Sequence, residues 1–424
     1  AVFFVFTSVP YSYLTIYIFH KTPLRTRQIR VGLKYKALLG LCMRTYKFRL
    51  YPSKLQEQIL EAQLSTCRSV YNELLAVRFN EGFSRFDLQN ETLRDLKICS
   101  PHLNCIHSQV LQDLCRRVAL SFERYHDRLR AGVRPAGRPR FKSKNRFHSI
   151  TYPQSGFKIV GKKLSVSKMG ILPITLHRDI EGKIKTLTIC KNGVGQWYAC
   201  FTVEVPSAEV VHPFPDRAVG LDAGLTQLFS TSTGAVIANP RFLEKSEKKL
   251  ARCQRALSRK KRGSRNRAKA KRKLAKTHLK IRSQRMDSLH KITSKLVASY
   301  GLIVAENLQI QQMMKDRRFA KAIGDAGWGK VFEMLRYKAE SAGGVFVQVH
   351  PQYTSQECLC GERVEKTIRE RRHVCPACGA NEDRDIHASK IILERYRRND
   401  GKSSLTENLR RGSMKQDASG FSPR

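Results

Sequence analysis

Carboxylates are the scarce side chains of this sequence. Thirty-five Asp and Glu stand against 79 Lys and Arg in 424 residues, a formal net charge of +44. A chain so poor in negative charge repels itself unless a polyanion neutralises it, so nucleic acid is the first partner to consider. From Lys248 to Arg285 acid is missing altogether, while 18 Lys and Arg are present. Disulfide spacing is missing as well. Of the 12 cysteines, eight (Cys42, Cys67, Cys99, Cys105, Cys115, Cys190, Cys200 and Cys253) are scattered without a framework. That argues against a secreted, cross-linked scaffold and for free thiols in a reducing compartment. The apolar opening AVFFVFTSVPYSYLTIYIFH lacks positive charge ahead of it, since Lys21, Arg25, Arg27 and Arg30 come after. This is the wrong order for a signal peptide, and Pro10 with the Ser and Thr residues weakens a spanning helix. No membrane association is expected. Residues 1–42 read as a leader or non-native extension that packs poorly, with the working protein starting at Met43.

Past that point the periodicities are clear. Tyr46, Phe48 and Leu50 alternate with Lys47 and Arg49, the pattern of a half-buried strand, and Ser53 stands ready to cap a helix from Lys54. Apolar residues at helical spacing (Ile59, Leu60, Leu64, Val70, Tyr71, Leu74, Leu75, then Val110, Leu111, Leu114, Val118) predict a small helical bundle to about Leu129. The segment RAGVRPAGRPRFKSKN, 130–145, breaks the period; its bases and flanking Phe141 and Phe147 suit phosphate contact as well as they suit a solvated loop. SITYP, GFKIV, KLSVS, KTLTIC and WYACFTVEV then read as strands of a small barrel, which the strand at 46–51 can join. After AVGLDAGL comes the basic stretch, which Gly263-Ser264 divides into a helical hairpin. Like charges at helical spacing repel, and a phosphate backbone lying along that face relieves them. LIVAE ends a further strand in Glu306, the polar and glycine-bearing segment 309–329 reads as a mobile lid, and a helix at 330–341, a strand at 345–349 and a helix at 388–396 complete the order.

Three acids sit where strands or helices end: Asp222 after AVGL, Glu306 after LIVA, and Asp385 opening the last helix, with Asp383 as the alternative third member. Any one of them alone is ordinarily a solvated strand end or a cap. Together they are hard oxygen ligands, which suit Mg²⁺ or Mn²⁺. Between the second and third acids lie Cys358, Cys360, Cys375 and Cys378. Cys375-Pro-Ala-Cys378-Gly has good zinc-knuckle spacing, whereas Cys358-Leu-Cys360 is one residue short, which strains a tetrahedral site and leaves His373 as a substitute ligand. Four protein ligands leave no open position, so Zn²⁺ here would be structural.

These pieces, in order, resemble the transposon-associated TnpB (OrfB) proteins, RNA-guided DNA nucleases related to type V CRISPR effectors. The likeness runs from Met43 to about Tyr396. It rests on MRTYKFRLYP, PRFKS at 139–143, WYACFTVEV, GLDAGL, SRKKRGS, IVAENL, GWG followed by LRYKA, HPQYTSQ, and CPACG followed by DRD. It implies a multidomain α+β architecture. A wedge β-barrel (43–53 and 139–214) would be split by a helical recognition domain (54–138). A RuvC-like nuclease of RNase H fold (215–356 and 381–396) would carry a basic hairpin at 241–300 and a zinc-knuckle insert at 357–380, and 397–424 would be a disordered tail. It implies Asp222, Glu306 and Asp385 as catalytic Mg²⁺ or Mn²⁺ ligands. It also implies a guide RNA from the transposon end, target double-stranded DNA beside a short adjacent motif, a monomer on its RNA, and a prokaryotic cytoplasm. Candidate nucleic-acid contacts are Lys47 and Arg49 on the first strand, Arg138, Arg140 and Lys142 in the loop, and Arg259, Lys260, Lys261, Arg262, Arg265, Arg267, Lys271 and Arg272 on the hairpin. His387 and Ser389 depart from the family pattern, which has Asn and a second Ala there. The rival readings are a guided DNA binder without cleavage, a strand-transferring transposase, and a plain RNA-binding protein.

Overall fold

A computed structural model of the chain describes residues 41–206, 210–366 and 370–400. Of the expected extension, 1–42, residues up to 40 lie outside the described residues, and so does the expected tail, 397–424, beyond residue 400; residues 397–400, expected to be disordered, are instead the end of a helix. The chain divides into two compact units, 1–208 and 209–424.

The first unit begins with β1 (Leu41–Leu50), two residues ahead of Met43, because Leu41 and Cys42 already pair with Pro206 and Val205. Ser53 then caps α1 (Lys54–Glu81) through a capping box with Gln56, and Gly82 closes the helix in the left-handed region at φ 73°. α1 packs on α2 (Ser108–Arg130) through Leu60, Leu64, Leu74, Leu111, Leu114 and Val118. Short helical turns fill 85–105 between them. Six more strands follow: β2 (Ser149–Tyr152), β3 (Phe157–Val160), β4 (Lys163–Val166), β5 (Gly170–Thr175), β6 (Lys183–Lys191) and β7 (Trp197–Pro206). The antiparallel sheet runs β2-β6-β7-β1-β5-β4-β3. Its two outermost strands, β2 and β3, are joined by only residues 153–156. A flat seven-stranded sheet separates its edges by roughly 29 Å, while that connection reaches at most about 17 Å. The sheet therefore curls almost closed, with Tyr152 edge-on to Phe157 at 6.5 Å. β5 went unread in the sequence because Pro173 sits inside it; proline ordinarily demotes a strand. Here β5 nonetheless pairs with both β1 and β4.

The second unit is a five-stranded mixed sheet, β10-β9-β8-β11-β12. β8 (Ala218–Ala223), β9 (Gln227–Thr231) and β10 (Val236–Ala238) form an antiparallel meander; β11 (Leu302–Glu306) and β12 (Val345–Val349) add in parallel. Both faces are covered, which is why LIVAE reads as a continuous apolar run rather than an alternating one. Ile303 and Ala305 face a core shared with α4 (Arg265–Ser299) and α5 (Trp328–Ser341). Val304 faces the opposite layer with Ile392, Leu393 and Tyr396 of α6 (Arg384–Asp400). α6 crosses β8 at Gly220, where an added Cβ would stand 2.0 Å from the Ser389 carbonyl oxygen.

The hairpin forms as expected. α3 (Phe242–Ser258) and α4 are separated by a turn with Gly263 at φ 83°, and Ser264 caps α4 by accepting the Arg267 N–H at 3.1 Å. The lid expectation is corrected for its second half. Residues 320–326 are helical, bury Ile323 and Ala326, and are fixed by Asp325, which accepts from Arg285 at 2.6 Å and from the Leu243 N–H at 2.9 Å.

Candidate active site

The two strand-end acids are delivered by register. Ala305 of β11 lies beside Leu221 of β8 in a parallel pair, so the next residues, Glu306 and Asp222, come level at the carboxyl ends of adjacent strands. Crevices outside such strand ends are where open α/β sheets place ligands. The third acid arrives from the layer below: α6 packs on β8 and β11, and Asp385 stands in its first turn. Asp383 and Asp385 differ in their local geometry. The Asp383 carboxylate accepts the N–H groups of Asp385 at 2.9 Å and Ile386 at 3.1 Å, which is the work of a helix cap. That cap also starts the helix four residues earlier than the expected Ala388.

Electrostatics tie the three together. Burial, then the Glu306 and Asp385 charges, push the Asp222 carboxyl up to about 8, although Arg384 works the other way. Glu306 is itself buried and its pKa raised by that burial, with Thr354 opposing the shift. The Thr354 hydroxyl donates to Glu306 Oε1, and the Gln348 amide donates to the Glu306 backbone carbonyl at 3.3 Å. Asp385 is held by Arg384 at 3.3 Å and Arg371 at 3.7 Å. The three carboxylates do not form a single ligand cluster: among the described residues, the donor sets whose atoms all lie within 4.8 Å of one another are the four cysteines and Cys358 with His373 and His387. A bridging carboxylate between two outer ones, the arrangement that a pair of ions about 4 Å apart requires, does not need that closeness. Mutually repelling acids with one carboxyl raised to about 8 are the donor chemistry a hard cation relieves.

The four cysteines converge despite the short first knuckle. Cys358 and Cys378 sulfurs are 3.5 Å apart and Cys360 and Cys375 3.7 Å. A tetrahedron with zinc–sulfur bonds of about 2.3 Å has edges of roughly 3.8 Å, so the set fits Zn²⁺. Gly361 and Gly379, both at positive φ (96° and 71°), turn the two loops, and the Cys378 N–H leads the influences that lower the Cys375 thiol to about 7. His373 is therefore not needed as a substitute. It is fully buried, stacked on His387 at 3.5 Å between ring centroids. His387 bridges the knuckle to its neighbours, with Nδ1 2.6 Å from Glu382 and Nε2 3.0 Å from the Glu357 carbonyl.

The basic residues behave unequally. Arg259, Lys260, Lys261, Arg262, Arg265, Lys271 and Arg272 are exposed on the hairpin. Arg267 is instead turned inward, donating to the carbonyls of Leu257 at 3.0 Å and Lys260 at 2.9 Å, and so fastens the turn. Lys47 lies over the Tyr198 ring at 4.3 Å, and Arg49 over the same ring at 5.1 Å. Arg138 and Arg140 are exposed, and the Lys142 backbone is tied to Asn72. Thr354, Arg371 and Arg384 were missed in the sequence. Nothing near Thr354 in the sequence signalled its role, because its partner Glu306 lies 48 residues earlier.

Comparison with known proteins bears on all of this. Residues 200–317 match a family described as "Probable transposase", residues 328–392 one described as "Cas12f1-like, TNB domain", and residues 43–81 a "Helix-turn-helix domain". The last span folds here as β1 followed by the single helix α1. A "Putative RNA-guided DNA endonuclease" of Streptomyces pristinaespiralis is 31% identical over 367 residues, covering 82% of this chain and 88% of the relative. The "Putative RNA-guided DNA endonuclease InsQ" of Escherichia coli is 30% identical over 381 residues, covering 83% and 92%. Among solved structures, a Cas12f1–sgRNA–target DNA complex aligns over 84% of this chain and 99% of that chain at TM-score 0.49 and 13% identity, too distant a likeness to carry an argument.

Proposed function

The chain belongs to the transposon-associated TnpB (OrfB) family, and on that premise we propose that it is an RNA-guided, divalent-metal-dependent DNA endonuclease. The guide, transcribed from the transposon end, pairs with one strand of a double-stranded target beside a short adjacent motif. Base pairing then supplies sequence specificity while the protein reads duplex shape. The observation that carries the reading is the level placement of Asp222 and Glu306 at the ends of β8 and β11, with the Asp385 charge acting on Asp222. The order β10-β9-β8-β11-β12 supports a RuvC-like, RNase H-type nuclease unit. The curled sheet and the helices of residues 54–130 serve as wedge and recognition domains, and the protein acts as a monomer on its RNA.

Asp222, Glu306 and Asp385 would hold Mg²⁺ or Mn²⁺, which supplies charge neutralisation at the scissile phosphate and a more acidic water. The chain's own residues do the rest. Thr354 keeps one oxygen of Glu306 occupied and so fixes the direction of the other. Asp383 holds the first turn of α6 and with it Asp385. Arg371 and Arg384, which neutralise Asp385 here, are placed to turn toward an incoming phosphate. The exposed hairpin cations track the phosphates of RNA or heteroduplex. The four thiolates would hold a structural Zn²⁺, which would join the two cysteine loops.

The test is cleavage of a plasmid carrying a guide-matched site, with co-purified RNA sequenced from the same preparation. A single structured RNA with a variable 3′ end, and cutting that needs Mg²⁺ or Mn²⁺ together with all three acids, is the expected result. Cutting that survives Asp222→Asn, or binding without any cutting, would overturn the assignment.

A further inference from the structure

In the first unit, the end of α1 and the strap 137–142 frame a cavity of about 350 Å³, lined by Leu75, Phe79, Arg138, Pro139, Arg140 and Phe141. Its floor is the buried Leu75, but its rims are two phenyl rings in solvent: Phe79 is 45% exposed and Phe141 60%. Leaving large aromatic surface wet gives up hydrophobic stabilisation, so such exposure calls for a reason.

A floppy loop is not the reason. The strap is fastened to the two helices at three points. The Asn72 side chain accepts the Lys142 N–H at 2.8 Å and donates to the Lys142 carbonyl at 3.1 Å. Arg128 donates to the Gly137 carbonyl at 2.9 Å, and Arg138 Nε donates to the Tyr125 hydroxyl at 3.4 Å. The Arg138 guanidinium lies over the Phe79 ring at 5.0 Å, and that ring is backed by Phe122 at 6.5 Å. Phe141 is thus presented by a backbone that cannot retract it. Two guanidinium-bearing residues and no carboxylate line the cavity.

A pre-formed apolar slot with aromatic walls and only positive charge matches one chemistry best: a planar, unstacked nucleobase whose flanking phosphates meet arginine. An apolar peptide would use the rings and waste the charge; a duplex would use the charge and could not reach the rings. We propose that this cavity is a nucleobase-binding site, in which a base splayed out of a single-stranded segment stacks on Phe141 against the wall that Phe79 and Arg138 form, while Arg140 holds the adjoining phosphate. This rests on the reading of the protein as a nucleic-acid effector and adds to it a site that takes hold of a base rather than the backbone.

The test is binding of the purified full chain to oligo(U) and oligo(dT) of equal length, and to an abasic strand of that length, across a salt series. Phe141→Ala should weaken binding to the base-bearing strand roughly tenfold, within the range of one stacked base. It should leave the slope of log K against log salt unchanged, because no ion pair is lost. Phe141→Trp should retain binding, and the abasic strand should bind wild type and Phe141→Ala alike. Arg140→Gln should instead flatten the salt slope by about 0.7, one phosphate's share on a single strand. Unchanged thermal unfolding midpoints, expected for an exposed ring, confirm that the variants are folded. Whichever of RNA and DNA shows the Phe141 dependence is the occupant. Equal binding by Phe141→Ala and wild type on both strands would overturn the site while leaving the effector reading intact; wild type that binds no nucleic acid would overturn both.

Discussion

Asp222 should be a liability to the metal-free protein, and removing its charge should make that protein more stable while destroying its activity. Its carboxyl is raised from an ordinary 3.8 to about 8 by burial and by its two acidic neighbours. Between those values the native state holds a proton that the unfolded chain has released. The stability associated with that proton is complete below about pH 4 and is lost progressively as pH rises toward 8. At pH 7 the ceiling on the penalty is about 4 kcal/mol, taking 1.36 kcal/mol per pKa unit. Relaxation and water entry reduce such ceilings, and about 1–2 kcal/mol is the expected net effect. Asp222→Asn keeps the shape and loses the titration. For a unit of this size it should raise the melting temperature by roughly 2–8 °C at pH 7 in chelator. The gain over wild type should shrink as pH falls toward 4. Added Mn²⁺ should then reverse the order, stabilising wild type and leaving Asp222→Asn nearly unmoved, because a bound cation replaces the proton. The assay is a thermal melt of both proteins from pH 4 to 8.5, with chelator or with Mn²⁺. A variant less stable than wild type at pH 8 in chelator, or a difference that does not change with pH, would refute the reasoning.

The neighbouring residues make separable predictions. Thr354→Val should raise the Mn²⁺ concentration needed for thermal stabilisation severalfold and Thr354→Ser should restore it, since only the hydroxyl holds Glu306; an unmoved Mn²⁺ midpoint in Thr354→Val would remove Thr354 from the site. Asp383→Ala should cost about 1 kcal/mol of stability as a lost helix cap and leave measurable cleavage, whereas Asp385→Asn should abolish cleavage without that loss; the reverse pairing in melts and cutting assays would mean the two roles are exchanged. Gly220→Ala should destabilise the second unit by about 3 kcal/mol, because its methyl would meet the Ser389 carbonyl of α6, and a melt like that of wild type would contradict the close packing. A dye-based metal release assay should find one Zn²⁺ per chain, lost in Cys375→Ser; a full complement of Zn²⁺ in that variant would exclude the four-thiolate site.

Local signals reached far into this fold, and long-range geometry set their limit. Strand β1, the Ser53 cap, the Gly263-Ser264 break and the strands ending in Glu306 and Val349 could all be read, because each rests on side-chain period or capping chemistry within a few residues. β5 was hidden by Pro173, whose missing N–H is tolerated because the β1 ladder ends at the Leu50–Ile174 pair, while the Pro173 carbonyl still accepts the Tyr51 N–H at 3.0 Å. The start of α6 was placed late, at Ala388, because the apolar period begins there, while the cap that Asp383 provides to the N–H groups of Asp385 and Ile386 leaves no mark in that period. The short knuckle seemed strained on spacing alone; Gly361 turns it at φ 96°, and its two sulfurs still reach those of Cys378 and Cys375 at 3.5 and 3.7 Å, which only three-dimensional coordinates reveal. The acids themselves were visible as strand ends. That Asp222 and Glu306 come level depends on the β8–β11 register, a fact about pairing that neither segment contains. Thr354, Arg371 and Arg384 were invisible for the same reason: their partners lie elsewhere in the chain, or their role follows from where α6 starts.

The final helix of the second unit carries Asp385 onto a sheet whose first strand, β8, was laid down much earlier in the chain. A nascent polypeptide leaving the ribosome therefore exposes its basic surfaces well before it can bring the third acid to the other two. On the proposed function, products terminated before α6 would keep the basic hairpin and lack Asp385, and so could not cleave. Synthesis order would then withhold the proposed activity until α6 has been made.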